Sequence, residues 1–276
     1  MTVFLKTKDY FNTKEEFWLE YDSELEMLVT KPIPKDIDRY YNHPSYISHT
    51  DQNKSVIDKI YQFVKKYSLN KKVKLITELR VKEKKVLDIG AGTGDFLKSA
   101  KKNNWLIDGI EPNETARTIA KNKKIELKTN LNDVENDSYD VVTLWHVLEH
   151  LPNLKQQIVQ INHKLKENGY LIIAVPNFKS YDAQYYKEHW AAYDTPRHLW
   201  HFSKKSIHSL FLKHGLKVKK VKPMVFDSFY VSMLSEKYKT GHSNFIKAFT
   251  IGFISNLKAL YTKEYSSLIY ILKKEV

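Results

Sequence analysis

Val86-Leu87-Asp88-Ile89-Gly90-Ala91-Gly92-Thr93-Gly94-Asp95-Phe96-Leu97 is the stretch from which the rest of the chain is best understood. Val86, Leu87 and Ile89 supply the apolar run of a central parallel strand, which is covered on both faces and so does not alternate. Gly90, Gly92 and Gly94 let the backbone turn sharply and leave room for a ligand to lie against it. The helix that follows points its first free amides at that ligand. Two phosphate-binding readings fail on the letters. A dinucleotide fingerprint wants glycine or alanine where Asp95 stands, and a P-loop would need Gly-Lys-Ser/Thr, which is absent.

Three more segments follow in order. Trp105-Leu106-Ile107-Asp108-Gly109-Ile110-Glu111-Pro112-Asn113 is a second strand ending in an acid, about twenty residues on, the step at which a carboxylate meets ribose hydroxyls. A carboxylate accepts from two vicinal hydroxyls at once, so Glu111 suits a nucleoside ligand. Tyr139-Asp140-Val141-Val142-Thr143-Leu144-Trp145-His146-Val147-Leu148-Glu149-His150 is the third, and Asn168-Gly169 through Val175-Pro176-Asn177 the fourth. Together they resemble the class I S-adenosylmethionine (SAM) methyltransferases. That resemblance implies a doubly wound, seven-stranded, mostly parallel α/β sheet of Rossmann-like type. It also implies SAM as cofactor, leaving as S-adenosylhomocysteine, against Asp88, Gly90, Ala91, Gly92, Gly94, Glu111, Pro112, Leu131, Asn132, Trp145 and His146.

The totals narrow the chemistry. A length of 276 residues allows one large domain and a small appendage. With no cysteine, thiolate metal sites, disulfides, cysteine nucleophiles and iron–sulfur radical chemistry are excluded. Apolar runs stop far short of a membrane span and the N-terminus lacks a basic-then-apolar leader pattern, so a cytoplasmic bacterial enzyme is expected. The net charge of +13 raises nucleic acid as a partner. The lysines are scattered, however, with one local excess of seven lysines and no acid from Ser203 to Met224. A lysine-rich composition explains the charge without nucleic acid.

Residues 1–50 are rich in aromatics and poor in helical period, and are expected to form an accessory or lid segment ahead of a methyltransferase domain at 51–276. Relatives often carry a zinc ribbon there; without cysteine it would hold by packing alone. The stretch from Tyr40 to His49 either closes over the cofactor or forms an aromatic satellite core. Helices are expected over 51–68 and 71–80, then 96–102, 113–122 with Asn113 as N-cap, and 153–167 stopped by Asn168-Gly169. Ile125–Thr129 should be a third strand of the sheet. Residues 176–202 form an acceptor loop, Ser203 caps a helix, and 226–262 is a helical insertion before a last strand at 267–272.

An oxygen acceptor needs a base beside it, and His146, His150, Asp194 and His198 are the catalytic candidates. His146-Val147-Leu148-Glu149-His150 has the letters of an H-x-x-E-H protease motif, but it follows a strand directly and Pro152 comes two residues later. It resembles instead the Leu-Glu-His after the fourth strand of many O-methyltransferases. Some enzymes of that kind hold a divalent cation through acids and histidines like Glu149 and His150; here no metal is expected. Exocyclic-amine methylation of bases is disfavoured, since Leu144-Trp145-His146-Val147 lacks the Asn/Asp-Pro-Pro-aromatic motif. Asp194-Thr195-Pro196-Arg197-His198-Leu199-Trp200-His201-Phe202-Ser203 resembles the signature of the methyltransferase-23 type. There Arg197 either pairs with Asp194 or clamps a substrate anion, and His198 is the preferred base. Tyr41, Tyr46, Tyr193 and Arg197 are the substrate-binding candidates. The expected reaction is O-methylation of a small molecule or a sugar or glycan precursor. The alternatives are an RNA methyltransferase, a membrane-associated quinone-type O-methyltransferase using residues 245–260 against lipid, and a SAM-binding protein without catalysis.

Overall fold

The computed structural model describes residues 2–41, 56–242 and 244–275. Tyr46 and most of the segment from Tyr40 to His49 lie outside the described residues. The main sheet has six strands: β4 (Lys85–Ile89), β5 (Leu106–Ile110), β6 (Tyr139–Trp145), β7 (Leu165–Pro176), β9 (Leu216–Pro223) and β10 (Ser267–Lys274). Their order is β5-β4-β6-β7-β10-β9. The first four run parallel and β10 pairs antiparallel with both neighbours. Helices cover both faces, and β6 is buried from Tyr139 to Leu144 because neither face meets water.

The expected seventh strand is reduced to a single bridge, Ile110 to Lys128. Ile125 is buried, while Glu126, Lys128 and Thr129 are exposed at the sheet margin, so only two backbone hydrogen bonds tie this segment on. Three other expectations change. Helices 51–68 and 71–80 are one helix through Val56–Thr77; Ser68 to Lys71 holds neither glycine nor proline to break it. The helix expected to run to 167 stops at Lys164, because Leu165 already pairs with Tyr139 in the sheet. Asn168-Gly169 is therefore an irregularity inside β7 rather than a helix stop, with Asn168 at φ +61°. The third concerns 176–202, which is largely folded: it carries a helix at Tyr181–Tyr186 and two short 3-10 turns.

A second, antiparallel sheet joins β1 (Thr2–Lys8), β2 (Glu16–Asp22), β3 (Met27–Lys31) and β8 (Trp200–His201). The N-terminal strands thus pair with the stretch that resembles the acceptor loop. A satellite core of Leu19, Leu28, Phe178, Tyr186, Trp190, Tyr193, Val231 and Ile251 lies between them and the helical insertion. Asp182 anchors this core: its buried carboxylate accepts from Trp190 Nε1, Ser255 Oγ and Ser266 Oγ at 2.6–2.7 Å. The insertion itself is two helices, Asp227–Thr240 and Phe245–Thr262.

Candidate active site

The glycine turn leaves β4 with Gly90, Gly92 and Gly94 at φ +70°, +53° and +75°, a left-handed run that only glycine adopts without strain. A Cβ added to Gly92 would meet nothing within 4 Å, so the turn has an open side on which a ligand can lie. Ala91 is buried beneath it. Glu111 at the end of β5 folds back on the turn. Its Oε2 accepts from Gly92 N at 2.8 Å and its Oε1 from Asn113 N at 2.9 Å. Each oxygen keeps lone-pair capacity for a hydroxyl. Pro112 is exposed beside it.

Asp88, buried in β4, accepts from Thr143 Oγ1 at 2.6 Å. Burial pushes its carboxyl up to about 7 against the opposing pull of Thr143 and Lys72. Lys72, from the helix Val56–Thr77, stands 4.4 Å from the Trp145 ring centroid. Burial holds its ammonium below the usual range even though Asp88 and Asp227 favour the charge. Trp145 packs edge-on against Phe96, ring centroids 5.6 Å apart, and its buried indole N–H has no acceptor among the described residues. Leu131 and Asn132 sit in a 3-10 turn closed by Asn130 and Asp133. Leu131 packs on the core, while Asn132 is exposed.

Past Trp145 the chain turns at His146, φ +57°, and delivers Glu149 and His150 to the same end of the sheet. His146 is held between two acids, Nε2 at 3.2 Å from Asp227 Oδ2 and Nδ1 at 3.4 Å from Glu149 Oε1. Burial would depress its imidazolium, but the two carboxylates more than offset this and hold it up at about 9. Burial would likewise raise the Glu149 carboxyl, yet pairing with His146 and the charges of His198, His146 and His150 bring it down to about 2. The His146 contact is an ion pair rather than a well-aligned hydrogen bond. Both buried Glu149 oxygens lack a hydrogen-bond donor among the described residues.

His150 Nδ1 lies 3.0 Å from Arg197 O and 3.1 Å from Tyr41 Oη. Burial and then the neighbouring His198 push it down to about 4. The rings of His150 and His198 meet edge to face, centroids 4.5 Å apart. His198 Nδ1 is 2.9 Å from Ala192 O. A carbonyl only accepts, so Nδ1 carries a proton toward Ala192 O, and Nε2 is the ring atom left to face the site. Glu149, His150 and His198 each present a ligand atom, all within 4.8 Å of one another, a spacing that suits a single divalent ion as well as a proton relay.

The remaining expected residues divide. Asp194, at φ +35°, receives the Arg197 guanidinium at 2.6–3.1 Å, and lies 3.9 Å from His198 Nε2. Burial would raise the Asp194 carboxyl, but Arg197 wins and lowers it. Arg197 also donates to Asp9 Oδ1 at 2.9 Å and Tyr40 O at 3.1 Å, beneath the Phe11 ring. It is 1% exposed, and its hydrogen bonds run inward to Asp194 and to Asp9 and Tyr40 of the N-terminal segment. Tyr193 is buried between Trp190 and His201 in the satellite core. Tyr41 does reach His150.

Sequence reasoning missed Lys72 and Asp227, which no motif marks. They line a cleft of about 410 Å³ with Tyr67, Pro223, Val225 and Phe226, reached from the helix before β4 and the insertion after β9.

Comparison with known proteins adds the family. A family model described as a methyltransferase domain matches residues 60–221. The ubiquinone biosynthesis O-methyltransferase of Coxiella burnetii is 28% identical over 115 residues, 38% of this chain and 49% of that enzyme. The chain thus matches about half the length of that relative. Phosphoethanolamine N-methyltransferase 2 of Haemonchus contortus, solved with S-adenosyl-L-methionine, superposes with a TM-score of 0.56 at 13% identity, over 96% of this chain and 70% of that one. Magnesium protoporphyrin IX methyltransferase of Synechocystis, solved with SAH, gives 0.54 at 15% identity, over 86% and 92%. At such identities the likeness is one of fold.

Proposed function

The chain belongs to the methyltransferase-domain family, and from that premise we propose that it moves the methyl group of SAM to an oxygen of a small acceptor. The observation that carries the reading is the position of His198 Nε2 and the buried Glu149 carboxylate beside the end of β6, the Glu149 oxygens lacking a hydrogen-bond donor among the described residues. Glu111 takes the ribose hydroxyls, the open side of Gly92 admits the nucleoside, and Trp145 edges the cofactor with its free N–H. In-line transfer then forms the O–CH3 bond as the S–CH3 bond breaks, and SAH leaves. The acceptor proton passes to His198 Nε2, with Glu149 stabilising the cation that forms. Asp194 and His150 hold His198 in place.

A second reading is favoured by the 4.8 Å clustering of Glu149, His150 and His198: together they bind a divalent cation that lowers the acceptor hydroxyl's pKa. Transfer of labelled methyl from SAM into cell extract, with and without chelator, tests both. Label in a low-mass or glycan fraction supports the oxygen-acceptor reading, and loss on chelation that a divalent ion restores selects the second. Label that disappears with ribonuclease would overturn a small acceptor.

A further inference from the structure

Helix Phe245–Thr262 is packed inside out. Its inward face is small, with Ala248, Ile251, Gly252, Ser255 and Ala259 buried. Gly252 brings it so close to the neighbouring helix that an added Cβ would lie 2.9 Å from the Phe229 ring. Its outward face is bulky and apolar: Phe245, Ile246, Phe249, Phe253, Leu257 and Leu260 are 45–83% exposed. At the angular step of a helix these six fall in one stripe roughly 120° wide. A helix serving only a soluble core would turn that stripe inward. Tyr230 and Phe226, 44% and 41% exposed, continue the surface onto the preceding helix. There Phe229 and Met233 join Phe245 and Phe249 around a shallow apolar groove of about 730 Å³.

The charge around the stripe selects its occupant. From Lys237 to Lys263 the sequence has five lysines and no acid. Lys247 turns inward to the buried Glu236 at 2.9 Å, and Lys258 stands 3.8 Å over the Tyr181 ring. Lys237 and Lys263, both exposed, stand at the C-terminal ends of the two helices. Among the described residues no helix is long and apolar enough to cross a membrane. We propose that this face lies on an anionic lipid bilayer, with the helix in the plane of the interface, the stripe in the headgroup–acyl boundary and the lysines at lipid phosphates. A second copy is the poorer partner, since a chain of net charge +13 would bring these lysines against one another. The face also adjoins the active site: Asp227 begins the neighbouring helix and pairs with His146.

The test is flotation of the full chain with phosphatidylcholine vesicles, with and without phosphatidylglycerol. Binding only to the anionic vesicles, weakened by salt, is expected. Phe249→Ser with Leu257→Ser should weaken it at least about tenfold, with circular dichroism and SAM affinity unchanged, as should Lys237→Glu with Lys263→Glu. Val3→Ser, an exposed apolar site on the other sheet, should leave it intact. Absence of flotation would overturn the proposal, as would flotation indifferent to both double variants. A concentration-dependent dimer that the serine variant abolishes, without vesicle binding, would assign the face to a second copy instead.

Discussion

His146 and Asp227 face each other across 3.2 Å, from Nε2 to Oδ2, although they lie 81 positions apart in sequence. The contact ties the turn after β6 to the first residue of the insertion. With Glu149 on the other ring nitrogen, it keeps His146 protonated through neutral pH, so this histidine supplies a fixed positive charge rather than a base.

Asp227→Asn should therefore lower the His146 pKa from about 9 by at least about one unit, read by NMR titration of the ring. Turnover should fall with it as the turn loosens. An unmoved pKa would mean that Glu149 alone holds the proton.

Linkage sets the pH dependence of stability. His146 is raised from 6.5 to about 9, so its contribution is complete below pH 6.5 and is lost as pH rises to about 9. His150 is lowered from 6.5 to about 4, so stability drops as pH falls through that window. Glu149, lowered from 4.5 to about 2, extends the loss in acid. Melting temperature should peak near pH 6.5, with His150→Gln flattening the acid limb and Asp227→Asn the alkaline one. His146 is partly exposed, which makes the alkaline limb the shallower.

Glu111→Ala removes the acceptor of two backbone N–H groups and, on the proposed reading, of the ribose hydroxyls. SAM affinity by calorimetry should drop more than about tenfold, the loss of one charged hydrogen bond or more, with the fold retained. Unchanged affinity would sink the ribose assignment.

His198→Gln keeps a hydrogen bond to Ala192 O but removes the basic Nε2. Turnover should fall by about 10²–10⁴-fold while SAM binds as before. A variant with normal turnover would shift the base role to Glu149.

Arg197→Met should cost about 3–5 kcal/mol in urea unfolding, because Asp9 and Asp194 are left buried without their cation. A variant of full stability that has lost only acceptor affinity would restore the substrate-clamp reading.

Much of the site was legible because its parts are local. Gly90, Gly92, Gly94 and Glu111 sit at fixed offsets from two strands whose apolar runs are unmistakable, and parallel strands bring their carboxyl ends together. Leu148-Glu149-His150 and Arg197-His198 could be flagged by resemblance, but not their meeting. Local signals also misled where pairing overrode them: Asn168-Gly169 has the letters of a helix stop and lies inside β7, because Leu165 is already bonded to Tyr139.

The sheet, the glycine turn and the family can be read from the order of residues alone, since hydrophobic period, turn chemistry and short-range spacing are properties of neighbours. The contacts of Arg197 and Asp227 and the outward stripe of the helix at Phe245–Thr262 emerge with packing. Arg197 finds Asp9 at 188 positions' distance, Asp227 finds His146, and the apolar stripe faces outward because the helix's small side fits against Phe229. Each outcome depends on which distant surfaces the packed core brings together, and on which groups it leaves to water.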